Sequence, residues 1–158
     1  MADIQIIENP EVLRGSRIAV VASRYNLGIV DRLLDACLAE LEAKGISRGA
    51  VTVVRVPGAF ELPVVANRLA AVGEVDAVIA LGVVIRGNTP HFDYVAGECA
   101  RGLARVSLDH DLPVIFGVLT VENEQQALDR AGGAHGNKGA EAALSALEMI
   151  SIMHKLRP

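Results

Sequence analysis

The stretch Ala77-Val78-Ile79-Ala80-Leu81-Gly82-Val83-Val84-Ile85-Arg86-Gly87-Asn88-Thr89-Pro90-His91 decides the fold. Its first part, Ala77–Ile85, is an unbroken apolar run rich in Val and Ile. Such a run, too short to span a bilayer and not alternating, is the pattern of a parallel strand covered on both faces. A turn follows at Arg86-Gly87-Asn88. Thr89 as N-cap and Pro90 at the first helical position then open a helix, with Val95, Ala96, Cys99, Ala100, Leu103 and Val106 as its apolar stripe.

The same strand–helix succession recurs on either side. Apolar runs at Arg17–Ser23, Val51–Val56 and Pro113–Leu119 predict three more strands. Ile29, Val30, Leu33, Leu34, Cys37, Leu38 and Leu41 fall on one helical face, which Gly45 ends. A second helix runs from about Glu61 to Val72 and stops at Gly73. After the fourth strand, Asn123 and Gln126 have capping-box spacing and open a short helix ending near Gly132. Gly132–Gly139 is a glycine-rich break, and Ala140–Lys155 forms the last helix. This alternation predicts an α/β fold with a parallel sheet and right-handed crossovers. One domain is expected over residues 1–158, with residues 1–15 as an N-terminal arm. In that arm Ile4-Gln5-Ile6 is a candidate edge strand, for this sheet or a neighbour's.

Composition narrows the function classes. Apolar residues make up 51% of the 158 and charged residues 22%, a globular balance and not a disordered one. Lys plus Arg is 15 against 19 Asp plus Glu, a net charge of −4 with no run of like charge, which argues against nucleic acid as a partner. No stretch is long and apolar enough for a membrane span. Met1-Ala2-Asp3-Ile4 lacks the basic patch and apolar core of a secretory signal. Cys37 and Cys99 lie far apart and form no CxxC pair, so neither a disulfide nor a zinc framework is expected and a reducing cytoplasm fits. His91, His110, His135 and His154 show no ligand-like spacing, so no metal is expected. A small chain this apolar has more greasy surface than a monomer hides, which predicts an oligomer.

In an open parallel sheet, ligands bind beyond the carboxyl ends of the strands. The segments there are Ser23-Arg24-Tyr25-Asn26, Pro57-Gly58-Ala59-Phe60-Glu61, Arg86 to His91, and Thr120-Val121-Glu122-Asn123. Tyr25, Phe60, Phe92 and Tyr94 lie in or just after them, four of only five aromatics in the chain. They either fill gaps at the sheet's upper edge or stack on a flat ring, worth about 0.5–1.5 kcal/mol per pair. Gly87-Asn88-Thr89 leads straight into a helix whose first N–H groups and dipole make an anion site. His91, at that helix start, is either a solvated capping histidine or a proton acceptor. Glu61 is either a helix-start acid or a carboxylate for substrate hydroxyls. Arg130 and Lys138 flank the glycine-rich break as a helix C-terminal charge and a solvated lysine, or as phosphate partners at a neighbouring copy's helix start.

At these same segments the chain resembles the lumazine synthases. The matching stretches are Arg24-Tyr25-Asn26, Val56-Pro57-Gly58-Ala59-Phe60-Glu61, Ala80 to Gly87, His91-Phe92-Asp93-Tyr94-Val95, Phe116-Gly117-Val118-Leu119-Thr120 and Gly136-Asn137-Lys138-Gly139. They run in the family's order from about Arg17 to the C-terminus without a large gap. The resemblance implies a three-layer flavodoxin-like fold, with a four-stranded parallel sheet flanked by helices on both faces. It implies pentamers, and in some members shells of twelve pentamers. The implied reaction joins 5-amino-6-(D-ribitylamino)uracil to 3,4-dihydroxy-2-butanone 4-phosphate, giving 6,7-dimethyl-8-ribityllumazine, phosphate and water, as the penultimate step of riboflavin biosynthesis. No cofactor is implied, and riboflavin synthase is an implied associate.

Residue by residue, the resemblance implies that Tyr25 stacks on the pyrimidine and that Ala59, Phe60 and Glu61 hold the ribityl chain. Val83, Val84 and Ile85 contact the pyrimidine through the backbone, Asn88 and Thr89 bind the phosphate, and His91 moves protons. From the adjacent subunit, Phe116 covers the ring, Arg130 pairs with phosphate and Lys138 lines the site. The chain departs from the family at Tyr25, where Phe or Trp is usual, and at Asn88 and Pro90, where small or hydroxylated residues are common. Two other classes stay open. A flavodoxin-like electron carrier needs a hydroxyl-rich phosphate loop, and Ser23-Arg24-Tyr25-Asn26 offers one small hydroxyl. A scaffold that has lost turnover has no need of Glu61, His91, Arg130 and Lys138 together.

Overall fold

A computed structural model describes residues 3–8 and 11–157. Four strands, β1 (Ile18–Ser23), β2 (Val51–Val56), β3 (Ala77–Ile85) and β4 (Val114–Val121), form one parallel sheet in the order β2-β1-β3-β4. Five helices accompany them: α1 (Leu27–Ala43), α2 (Leu62–Val72), α3 (His91–His110), α4 (Glu124–Asp129) and α5 (Lys138–Lys155). The layering is flavodoxin-like, as the resemblance implies.

Alternation along the strands divides the core in two. Ile18, Val20 and Ala22 of β1, with Ala77, Ile79, Leu81 and Val83 of β3, pack under α1 and α5. Ala19 and Val21, with Val78 and Ala80, pack under α2 and α3. Both faces of β1 and β3 are therefore dry, which is why their sequences read as continuous apolar runs. The chain turns to one side of β1 for β2 and to the other for β3 and β4, so the crevice opens where β1 and β3 part.

At one point α5 meets α1 backbone to backbone. A Cβ at Gly139 would stand 2.6 Å from the Leu33 carbonyl carbon. Only glycine permits that approach, and it sets where α5 begins.

Several boundaries differ from the sequence expectation. The third helix starts at His91, with Pro90 as its N-cap, because Pro90 itself sits at ψ 2°, outside the helical region, which leaves Thr89 one residue further out. The glycine-rich break holds a two-stranded hairpin, β5 (Ala131–Gly133) and β6 (Gly136–Asn137). α5 starts at Lys138 because the Asn137 side chain accepts the N–H groups of Gly139 and Ala140. β4 runs on to Val121, pairing Thr120 and Val121 with Val84 and Ile85. Residues 3–8 form no strand in this sheet, and Ile4 and Ile6 are exposed. No helix among the described residues is long and apolar enough to cross a membrane.

Candidate active site

The turn after β1 is tied to the turn after β2. The Arg24 N–H donates to the Val56 carbonyl at 2.8 Å, and the Tyr25 N–H to the Pro57 carbonyl at 3.0 Å. This brings the Tyr25 ring over Gly58. Asn26, in the left-handed region at φ 61°, donates its side-chain amide to the Val83 carbonyl at 3.2 Å. The three loops at the carboxyl ends of β1, β2 and β3 are thereby joined into one rim.

β3 outruns β1. Pairing between them ends at Ala22 with Leu81, whereas pairing of β3 with β4 continues to Ile85. The β1-facing backbone of Gly82–Ile85 is thus left to the crevice, and one of its groups, the Val83 carbonyl, is already taken by Asn26.

Tyr25, Ala59, Phe60, Glu61 and His91 line one cleft of about 420 Å³, together with Gly58, Tyr94 and Val95. Glu61 folds back so that its Oε2 accepts the Gly58 N–H at 3.1 Å. Its other oxygen takes no hydrogen bond among the described residues. The helix-start reading of Glu61 is thus met by one oxygen, which caps the turn. Asn88 and Thr89 precede His91 on the exposed turn, and the Thr89 Oγ1 accepts the His91 N–H at 3.4 Å.

Phe116, Arg130 and Lys138 line a different groove of about 330 Å³, along β4 at the sheet edge. No residue lines both hollows. The Lys138 N–H donates to the Arg130 carbonyl at 2.9 Å, which holds these two cationic residues side by side. The Arg130 Nη1 caps α4 at the Gln126 carbonyl, 2.9 Å away, and Lys138 Nζ lies 3.0 Å from Glu141. One chain therefore carries two separate hollows, an aromatic cleft with a histidine and a cationic edge groove with a phenylalanine.

The chain belongs to the 6,7-dimethyl-8-ribityllumazine synthase family. That family's model matches residues 15–154. The chain is accordingly a transferase of riboflavin biosynthesis. The match ends in α5 and takes in the lining residues of both hollows.

Tyr94, singled out by the sequence only as one of four rings after the strand ends, lines the cleft with His91. The signal was its spacing: residues three apart on a helix share a face. The two thiols are not candidates for chemistry. Burial pushes Cys37 up to about 12 and Cys99 up to about 11, leaving both protonated. Among the described residues, no group of three or more His, Cys, Asp or Glu is placed to hold a metal ion.

Proposed function

We propose that the protein condenses 5-amino-6-(D-ribitylamino)uracil with 3,4-dihydroxy-2-butanone 4-phosphate at a site completed by an adjacent copy. The observation that carries this reading is the separation of the two half-sites. Phe116, Arg130 and Lys138 share a groove that Tyr25, Glu61 and His91 do not line. A pyrimidine stacked on Tyr25 and a phosphate at the start of α3 need a cover and a cation, and the edge groove of a second copy offers both.

In this reading Tyr25 carries the ring, Ala59 and Phe60 wall the ribityl chain, and the free oxygen of Glu61 accepts its hydroxyls. The backbone of Val83, Val84 and Ile85 meets the pyrimidine edge, with Asn26 already holding one carbonyl. Asn88 and Thr89 hold the phosphate with Arg130 of the adjacent copy. The uracil's 5-amine attacks the ketone and water leaves, giving an imine. Proton removal assisted by His91 then expels phosphate. The enol left at the former hydroxyl-bearing carbon tautomerises to a ketone, and the ribityl-bearing nitrogen closes the ring onto that new carbonyl with loss of a second water. Holding two reactants in register supplies most of the acceleration, and proton transfer supplies the rest.

The assembly implied by the resemblance is a pentamer, and the short β5–β6 turn, like the short glycine-rich turn of the family's shell-forming members, favours a shell of twelve pentamers over the isolated pentamer. Ile4 and Ile6, exposed outside this chain's sheet, would pair with a neighbour's edge strand. Light scattering of the purified protein checks the shell, and a pentamer alone would refute it. The function is tested by mixing protein with both substrates and following lumazine absorbance. A rate above the uncatalysed background is expected; none from a well-assembled oligomer would overturn the reading.

A further inference from the structure

At the mouth of the crevice one cation holds two anions from different loops. Arg86 follows β3 directly, and its N–H donates to the Val121 carbonyl at 2.9 Å, extending the β3–β4 ladder. Its Nε lies 2.9 Å from Glu122 Oε2, on the turn after β4. Its Nη1 lies 3.3 Å from Asp93 Oδ1, in the first turn of α3. The guanidinium carbon sits 4.3 Å from the centre of the Phe92 ring. Its Nε and Nη1 are thus each turned to a carboxylate on a different loop, and its face to the Phe92 ring.

What it touches matters more. Asp93 stands in the first turn of α3, where a carboxylate competes with any other anion for the positive helix end. Glu122 is held beside it by the same cation. Both are tied to Arg86, which opens the turn that carries Asn88 and Thr89, and exposed charges act across about a Debye length, roughly 8 Å at physiological salt. Left uncompensated, the two carboxylates would set a negative field where a phosphate dianion must arrive.

We infer that Arg86 is a positioning residue of the phosphate half-site, which fixes the 86–91 turn and cancels Asp93 and Glu122 so that a phosphate can settle at the start of α3. The inference rests on the reading of that helix start as the phosphate holder. It assigns Arg86 an indirect part, distinct from that of Arg130, which meets the phosphate itself.

The test compares R86Q, R86K and the triple variant R86Q/D93N/E122Q in the assembled protein, with inorganic phosphate as a competitive probe and both KM values measured. R86Q is expected to raise the KM of the phosphorylated substrate and the inhibition constant of phosphate about three- to tenfold, as two released surface charges at a helix start would. The KM of the pyrimidine should stay within about twofold, and R86K should recover most of the loss. The decisive arm is the triple variant. Removal of the two carboxylates with the arginine should bring phosphate inhibition back to within about twofold of the unaltered protein, because the repulsion has gone. A triple variant as impaired as R86Q would overturn charge cancellation, and an R86Q with unchanged phosphate constants would overturn the role altogether. Loss of phosphate inhibition in the unaltered protein would instead sink the phosphate reading of α3, and this inference with it.

Discussion

The ring of Tyr25 occupies the space that a side chain on Gly58 would need: a Cβ there would fall 2.6 Å from Cδ2 and 2.8 Å from Cε2 of the tyrosine. The glycine is therefore part of the ring's seat. Gly58 also donates its N–H to Glu61, so one residue sets both the aromatic platform and the carboxylate beside it.

Gly58→Ala should tilt the Tyr25 ring and weaken pyrimidine binding without unfolding the chain. Tyr25→Ala should raise the KM of the pyrimidine by roughly two- to tenfold, the loss of one stacked pair. Tyr25→Phe should leave it nearly unchanged. Steady-state kinetics with the phosphorylated substrate saturating separates these outcomes, and equal KM values for Tyr25→Ala and the unaltered protein would remove the ring from the site.

His91 lies in the first turn of α3, in the wall of the cleft. His91→Ala should lower kcat by no more than about a hundredfold, the low end of general acid–base effects, with both KM values moving little. A larger fall would mean that chemistry, and not the holding of two reactants, dominates the rate. Single-turnover measurements give the number.

Gly139 admits no side chain, since a Cβ would collide with the Leu33 main chain. Gly139→Ala should push the start of α5 off α1 and cost about 1–3 kcal/mol of stability or more. Lys138 and the Asn137 cap lie at that same start, so the cationic groove should loosen together with the fold. Thermal unfolding followed by circular dichroism measures the first effect.

The thiols predict an alkaline limit. The fold keeps Cys37 protonated up to about 12, whereas its ordinary value is 9.0. Between those values the unfolded chain has lost a proton that the folded chain keeps, so stability is full below the lower one and falls as pH rises toward the upper. Unfolding midpoints should therefore drop above about pH 9. A thiol reagent at pH 8 should titrate Cys37 and Cys99 only after denaturation. Reaction of either thiol in the folded protein would contradict their burial.

The sheet was legible because β1 and β3 are dry on both faces, so Ile18–Ser23 and Ala77–Ile85 carry no polar residue except the terminal Ser23. Helix starts were less so. Thr89 and Pro90 obey the capping statistics, yet Pro90 takes ψ 2°, outside the helical region, and the start moves to His91. The Gly132–Gly139 segment looked like a plain break because glycines signal a turn without saying that the turn pairs with itself. Of the site, the aromatic cleft could be read from the clustering of rings after strand ends. Its hydrogen bonds could not. That Asn26 would claim the Val83 carbonyl depends on how far β3 outruns β1, a register that no local pattern encodes.

Arg130 is expected to meet the phosphorylated substrate from an adjacent copy, so Arg130→Ala should raise the KM of that substrate and spare the pyrimidine's. The shared site itself is tested most directly by co-assembly. Equal amounts of His91→Ala and Arg130→Ala chains, unfolded and reassembled together, are assayed with the phosphorylated substrate below saturation. If each site draws His91 from one copy and Arg130 from its neighbour, about a quarter of the sites in a random mixture are native, and activity should rise toward a quarter of the unaltered level. An activity equal to the mean of the two variants assembled separately would show that each site lies within one chain, and would contradict the account.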